Sequence, residues 1–162
     1  MKKYCSIFLF LVSFASKGQE IKFDTQKTFQ TMHSFGASDC WSMAMVGKYY
    51  PENKKKQIAE WLFSQDLDSQ GNPKGIGLSM WRFNIGAGSS EQANQSKIKS
   101  EWRRAESFLT DGQYDWTKQQ GQQFFLEEAR KYGVPYTLGF LNSSPVQMTR
   151  NSLAIGSGKL GE

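Results

Sequence analysis

The sequence has 162 residues, of which 38% are hydrophobic and 22% charged, and its formal net charge is +5. This composition excludes a disordered polyelectrolyte, and the length suits one ordinary domain or part of a larger one. Two cysteines and one histidine are too few for a zinc site built from Cys and His clusters or for a disulfide-rich scaffold. Aromatic residues make up 14%, which favours a large core or a surface that stacks on flat ligands.

Residues 1–18 have the layout of a secretory signal peptide, because the basic Lys2 and Lys3 precede an apolar run over residues 4–15. A buried N-terminal core helix is the alternative. The run is short for a permanent membrane span, and Cys5 lies at its start, whereas a lipoprotein needs the cysteine at the cleavage point. We therefore expect cleavage after about residue 18, a secreted or periplasmic protein, and no stable membrane anchor.

The mature chain, residues 19–162, is close to neutral. Removing Lys2, Lys3 and Lys17 leaves 17 of the 20 basic residues against 15 acidic ones, a net charge of +2. Residues 54–56 form the only basic run, so we expect no nucleic-acid partner. Cys40 is the only cysteine left and cannot form an internal disulfide.

Apolar patterning predicts alternating strands and helices along the mature chain. Partial alternation over residues 20–31 predicts an edge strand or short hairpin. Further strands are predicted at residues 35–38, 78–85 and 134–141, and helices at residues 53–64 and 116–132. Asn53 and Asp115 are the predicted N-caps, and Gly133 is placed to follow the second helix.

This alternation predicts an α/β protein with a parallel sheet, whose polar loops lie at the carboxyl edge of the strands, where sites of such proteins are found. About three β/α units cannot close an eight-stranded barrel. Residues 153–162 also carry no terminating element. We therefore expect the chain to be the N-terminal part of a larger domain.

Three motifs of metal, nucleotide or hydrolase chemistry are incomplete. The segment beginning at Asp66 resembles an EF-hand loop, but Gly77 occupies the position of the required Glu. A dinucleotide fingerprint starting at Gly86 has Glu91 where its third glycine belongs. His33 has no nucleophile elbow to join. We expect no metal site and no cofactor.

Arg82 and Asn84 are candidate site residues on the second predicted strand. A charged side chain on a buried strand costs several kcal/mol unless it is paired. Arg82 is therefore either exposed at a strand edge or directed into a site where it holds a carboxylate. Asn84 lies two residues on and shares its face, where it can hydrogen-bond a polar substrate.

The loops after the first and third strands supply four more candidates. Asp39 and Trp41 suit a sugar, because an indole stacks on the C–H face of the ring while a carboxylate accepts its hydroxyls. A capping Asp and a core Trp are the alternative. Asn142 and Ser143 follow the third strand at the equivalent place.

Three segments together resemble the N-terminal half of glycoside hydrolase family 30, above all its endo-β-1,6-galactanase-like members. They are SFGASDCW, GLSMWRFNIGAGS and GFLNSSPVQMTRN, beginning at residues 34, 77 and 139. The resemblance implies a (β/α)₈ TIM barrel with an attached β-sandwich, to which residues 20–31 contribute a strand. It also implies a retaining mechanism with two glutamates about 5–5.5 Å apart at the ends of the fourth and seventh strands.

Under this resemblance Arg82 supports the nucleophile, while Asp39 and Trp41 belong to the sugar-binding loop. Asn84, Asn142 and Ser143 correspond to polar positions that line the same pocket. Both catalytic glutamates are expected beyond Glu162, so the chain alone should be inactive and poorly folded. The family often has a Ser-Pro-Pro motif followed by a Trp near residue 143, and this chain lacks that Trp, which leaves the exact glycan open.

The sequence thus predicts part of a secreted, retaining hydrolase of β-linked, galactose-containing polysaccharide. The alternatives are a family member that acts on another β-glycan and a carbohydrate-binding protein without catalysis. The expected partner is a polysaccharide or oligosaccharide.

Overall fold

The computed structural model describes residues 21–156, and the predicted signal peptide lies outside them. The chain divides into two compact units, Met1–Thr31 and Met32–Glu162. The described part of the first unit contains a turn at Thr25 and Gln26 and no strand, so the strand or hairpin predicted for residues 20–31 does not form there. Its apolar side chains are exposed, as at Phe23 and Phe29, whereas a stable strand requires hydrogen-bonded neighbours and a buried face.

The second unit is a mixed α/β structure. Its strands and helices are, in chain order, β1 (Gly36–Ser38), α1 (Ser42–Tyr49), α2 (Glu52–Phe63), β2 (Met80–Ile85), α3 (Ser89–Gln92), β3 (Leu109–Thr110), β4 (Gln113–Tyr114), α4 (Gln120–Lys131) and β5 (Tyr136–Leu141). Short 3-10 turns lie at Ala93–Ser96, Glu101–Arg103 and Val146–Met148. The predictions of β1, α2, β2, α4 and β5 are confirmed, whereas α1, α3 and the β3–β4 hairpin were not predicted.

The strands β1, β2 and β5 form a parallel sheet in the order β1-β2-β5, which confirms the parallel arrangement. The alternation of side chains along β2 separates its two faces. Trp81 is 1% exposed and packs edge-on against Phe63 of α2, with ring centroids 5.0 Å apart. Phe125 of α4 joins this core with no exposed surface. Arg82 and Asn84 therefore occupy the face opposite the helices.

Two glycines allow α1 and α4 to cross with their backbones in contact. A Cβ on Gly47 would clash with the backbone of Gly121, and a Cβ on Gly121 would clash with the carbonyl oxygen of Ala44. This close approach places α4 against both α1 and β2. The crossing thereby fixes where α4 begins relative to the carboxyl end of β2.

The predicted helix caps are only partly correct. Pro51 occupies the N-cap position of α2, so the prediction of Asn53 there is wrong. Asp115 caps a turn before α4 instead, because its Oδ1 accepts hydrogen bonds from the Thr117 backbone N–H (2.9 Å) and hydroxyl (2.6 Å). Gln119, at a φ of 54°, is the N-cap residue of α4. Gly133 follows α4 at a φ of 75°, where glycine avoids strain, as predicted.

Candidate functional site

A buried carboxylate joins the ends of β1 and β2. Asp39 directly follows β1, its backbone N–H donates to the Arg82 carbonyl oxygen at 3.1 Å, and its Oδ1 accepts the Asn84 backbone N–H at 2.9 Å. The residue is 1% exposed, and Oδ2 has no hydrogen-bond partner in the protein. Burial raises the pKa of Asp39 to about 7, although the Asn84 N–H and the Arg82 charge act in the opposite direction. Asp39 therefore does not cap a helix. Its hydrogen bonds to Arg82 and Asn84 join the end of β1 to β2.

Gln119 extends this polar network below Asn84. Its Nε2 donates to the Asn84 carbonyl oxygen (2.9 Å) and to Gln122 Oε1 (2.6 Å), while its Oε1 accepts the Gly86 N–H (3.1 Å). Its own backbone N–H donates to Glu106 Oε2 at 2.6 Å. Gln119 thus provides hydrogen-bond partners for the backbone at the carboxyl end of β2, a role that a neighbouring strand usually has. Asn84 is 1% exposed, and its side-chain Oδ1 has no partner.

Arg82 is half-buried on the face opposite the helices, which places it between the two predicted alternatives. Its guanidinium carbon lies 3.6 Å from the ring centroid of Phe140 on β5, so the planar cation stacks on the aromatic face. Nη2 donates to Asn142 Oδ1 at 3.5 Å, and the buried Nε has no partner. Arg82 therefore links the carboxyl ends of β2 and β5.

A cavity of about 530 Å³ opens at this edge of the sheet. Four of the six predicted site residues line it: Trp41, Asn84, Asn142 and Ser143. Asp39 and Arg82 do not line it; they hold the strand ends that form its wall. The cavity is also lined by Ile85, Gly86, Ala87, Ser89, Lys97, Ile98, Lys99, Ser100, Arg103, Ala105, Ala154 and Ile155.

The segment between β2 and the hairpin supplies a wall that the sequence did not predict. Lys97, Lys99 and Arg103 all line the cavity, and the Arg103 guanidinium carbon lies 5.3 Å from the ring centroid of Trp41. In the sequence this stretch is only a long polar region, with no periodicity to show which cations converge. The sequence did not predict Gln119 for the same reason. Its hydrogen bonds to Gly86 and Asn84 connect residues that are 33 and 35 positions apart in the chain.

A second cavity, of about 660 Å³, lies beside the hairpin and has mostly apolar walls. Phe83, Phe108 and Trp116 contribute to it, with Phe108 stacked on Phe83 at 6.3 Å between ring centroids. Within residues 21–156 no cluster of His, Cys, Asp or Glu is arranged to hold a metal ion. The same range has no helix that is long and apolar enough to span a membrane.

A parallel sheet with helices on one face and a polar cavity at its carboxyl edge places the chain among α/β proteins whose site lies beyond the strand ends. Residues 18–160 match the model of O-glycosyl hydrolase family 30, and the chain belongs to this family. The family consists of glycoside hydrolases, as the resemblance of the three segments implied.

Two solved structures are similar to this chain. One is the crystal structure of a conserved exported protein from Bacteroides fragilis, with 45% identity and a TM-score of 0.76, over 82% of this chain and 27% of that chain. The other is the catalytic domain of GH30 xylanase C from Talaromyces cellulolyticus, with 24% identity and a TM-score of 0.48, over 78% and 26%. The chain thus spans about a quarter of the length of these structures. A search of the curated proteins found no match.

Proposed function

We propose that the chain is the N-terminal part of a secreted, retaining glycoside hydrolase that acts on β-linked, galactose-containing polysaccharide, in the manner of an endo-β-1,6-galactanase. Its three parallel strands would be the first three of a (β/α)₈ barrel. The observation that carries the proposal is the convergence at one cavity of Trp41, which follows β1, and of polar residues from the ends of β2 and β5, in a chain of a glycoside hydrolase family.

Four of the residues that line the cavity have a role in this proposal. Trp41 offers an aromatic face to the C–H face of a sugar ring. The Oδ1 of Asn84 is buried without a partner, so a sugar hydroxyl that donates to it would remove the cost of an unsatisfied acceptor. Asn142 and Ser143 lie at the end of β5 and supply further hydrogen-bonding groups. Asp39 and Arg82 position these residues by joining the strands.

The proposal assigns binding, and not bond cleavage, to the described residues. Retaining hydrolysis requires two carboxyl groups about 5–5.5 Å apart, one as nucleophile and the other as acid/base. No Asp or Glu is among the described residues that line the cavity, and the Asp39 carboxylate accepts a hydrogen bond from the backbone of β2. The two catalytic glutamates would be supplied by polypeptide beyond Glu162.

Export is part of the same proposal. Residues 1–18 have a basic start followed by an apolar run, and the family match begins at residue 18. The similar Bacteroides fragilis structure is that of an exported protein. Mass spectrometry of the mature protein after expression in a bacterial host tests this: a new N-terminus near residue 19 is expected, and an intact Met1 in the exported fraction contradicts it.

Hydrolysis is tested by incubating the mature chain, residues 19–162, with β-1,6-galactan and measuring the release of reducing ends. We expect no turnover by this chain alone, because the catalytic glutamates are assigned elsewhere. The coding sequence beyond residue 162 provides the matching observation, and we expect an Asn-Glu-Pro-type motif soon after it. Clear turnover by residues 19–162 would overturn the assignment of the catalytic groups.

Sugar binding is tested by calorimetric titration of a longer chain that continues beyond Glu162, because residues 19–162 alone are expected to be poorly folded, with β-1,6-galacto-oligosaccharides. The variant Trp41→Ala should bind at least about fivefold more weakly, since stacking on an aromatic ring contributes on the order of 1 kcal/mol or more. Trp61→Ala is the matched control, because Trp61 is 53% exposed on α2 and does not line the cavity. Equal losses in the two variants would contradict the assigned site. Retained binding by a longer chain that never cleaves galactan would favour a carbohydrate-binding protein without catalysis.

A further inference from the structure

Residues 89–105, which include α3, form a closed loop between β2 and the β3–β4 hairpin. The Ser89 hydroxyl oxygen accepts the Ala105 backbone N–H at 2.9 Å, and the Ser90 N–H donates to the Ala105 carbonyl oxygen at 3.1 Å. The two ends of the loop therefore lie side by side. Ser96, near the middle of the loop, has no exposed surface. A loop whose ends are close and whose own side chains pack inside it is a compact surface element, of a kind that is frequently functional.

One side chain, that of Arg104, joins the parts of the 89–105 loop. Its Nε and Nη2 donate to the Ile98 carbonyl oxygen at 3.0 and 2.8 Å, and Nη2 also donates to Asn94 Oδ1 at 2.9 Å. These acceptors lie 6 and 10 residues before Arg104 in the chain. A planar guanidinium directs several N–H groups at once, whereas a lysine ammonium on its flexible stem does not reproduce this geometry. The conformation of the loop therefore depends on Arg104.

The loop places Arg103 against the proposed sugar-stacking residue. The Arg103 guanidinium carbon lies 5.3 Å from the ring centroid of Trp41, within the range of a cation–π contact. The core residue Trp81, by comparison, is held by the rings of Phe63 and Phe125. Trp41 follows β1 and is only half-buried, so the contact with Arg103 contributes to fixing its ring.

Arg104 itself does not line the cavity, whereas Ile98 and Arg103 of the same loop do. Any effect of Arg104 on a sugar in the cavity is therefore indirect and passes through the loop. We propose that Arg104 is a positioning residue of the sugar site: by keeping the 89–105 loop closed, it holds Arg103 against Trp41 and so fixes the ring on which the sugar stacks. The inference rests on the proposed carbohydrate site and adds to it a residue that the sugar does not touch.

A ring that is fixed before the sugar arrives lowers the cost of binding, because ordering a side chain during binding is unfavourable. Loosening the loop should therefore weaken the binding of the substrate. Since stacking of this kind acts on the substrate and on the transition state alike, KM should rise while kcat changes little. We expect KM to rise about two- to tenfold, the range that corresponds to the ordering of one side chain.

The test measures kcat and KM of the full-length enzyme with β-1,6-galactotetraose as the substrate. In Arg104→Lys, which keeps the charge but loses the planar set of N–H groups, KM should rise by this factor while kcat stays within about twofold of the parent value. Arg130→Lys makes the same change at an exposed position of α4 and should leave both parameters unchanged. Circular dichroism of each variant checks that its fold is retained.

A double-mutant cycle tests whether Arg104 acts through Trp41. In Trp41→Ala the indole ring is absent, so the addition of Arg104→Lys should raise KM no further. An equal increase of KM in both backgrounds would overturn the inference, since Arg104 would then act independently of Trp41. A decrease in kcat with an unchanged KM would overturn it as well.

Limited digestion with trypsin measures the state of the loop without any sugar. Lys97 and Lys99 are exposed in the loop, and Arg104→Lys leaves the number of trypsin sites unchanged. We expect faster cleavage after these two lysines in the variant than in the parent, because cleavage requires local opening of the chain. Unchanged cleavage, or faster cleavage with an unchanged KM, would overturn the inference and leave the carbohydrate site intact. A parent enzyme that neither binds nor hydrolyses the tetrasaccharide would overturn the proposed function, and the inference with it.

Discussion

Asp39 is a buried acid whose pKa differs between the folded and the unfolded chain. Its pKa is about 7 in the structure, against an ordinary value of 3.8, because burial disfavours the charged carboxylate. Between these two pH values the folded chain binds more protons at this group than the unfolded chain. The free energy of unfolding therefore decreases as the pH rises from about 4 to about 7, and this contribution is level above that range.

The variant Asp39→Asn should remove this pH dependence. Asparagine can still accept the Asn84 N–H through its side-chain oxygen but cannot ionise, so the variant should be more stable than the parent at pH 8, by up to roughly 4 kcal/mol at 1.36 kcal/mol per pH unit. Urea unfolding at pH 5 and pH 8 measures the difference. Asp24→Asn, on an exposed turn, serves as the control. An unchanged pH dependence in Asp39→Asn would show that Asp39 does not titrate with folding.

Single residues were predictable from the sequence where they directly follow a strand. Asp39 and Asn142 come immediately after apolar segments, and the period of two along a strand places Arg82 and Asn84 on one face. Gln119 and Arg103 have no comparable signal, because their partners are fixed only when distant segments pack. The sequence therefore identified the strand-borne part of the candidate site and missed the part that the connecting segments supply.

At the scale of elements, the crossing of α1 and α4 is the most constrained contact. Gly121→Ala would place a methyl group against the Ala44 carbonyl oxygen, and rigid backbone cannot move aside as a flexible side chain can. We expect a loss of about 1–3 kcal/mol or more in the free energy of unfolding, the usual cost of overpacking. Urea unfolding measures it. Gly156→Ala is the control because nothing lies within 4 Å of its added Cβ, and comparable losses in both variants would rule out the clash.

The elements with strong patterns were predicted, and the weak ones were not. The helices α2 and α4 have 12 residues each and well-spaced apolar side chains, whereas α1 has only 8 residues. Its formation depends on the contact with α4, which is tertiary packing that overrides local propensity. The hairpin strands β3 and β4 have two residues each, too few for an alternating pattern to be visible.

At the scale of the whole molecule, β5 is an open edge of the sheet. Tyr136, Leu138, Phe140 and Leu141 are 37–50% exposed, and one side of the strand has no described neighbour. An exposed apolar edge strand is a template for association with another chain. The alternating pattern predicted the parallel sheet correctly, but the number of strands beyond β5 and the closure into a barrel remain predictions.

We therefore expect residues 19–162, prepared alone, to self-associate, and Leu138→Glu to reduce this association. The new carboxylate would lie beside Arg82, which is opposite residue 138 in the sheet register, so the variant should keep its fold. Sedimentation velocity across a range of protein concentrations measures the effect. Ile76→Glu adds the same charge at a loop residue that is 72% exposed. If both variants associate equally, the edge strand is not the contact.

The bonds made by Gln119 also determine how substitutions combine. One side chain bonds the Asn84 carbonyl oxygen, the Gly86 N–H and the Gln122 side chain together, so a change of Gln119 alters all three at once. The effects of substitutions at residues that share hydrogen-bond partners do not add. The end of β2 and the loop before α4 therefore depend on each other: a change of Gln119 in that loop removes hydrogen bonds at the end of β2, so we expect the two segments to vary together.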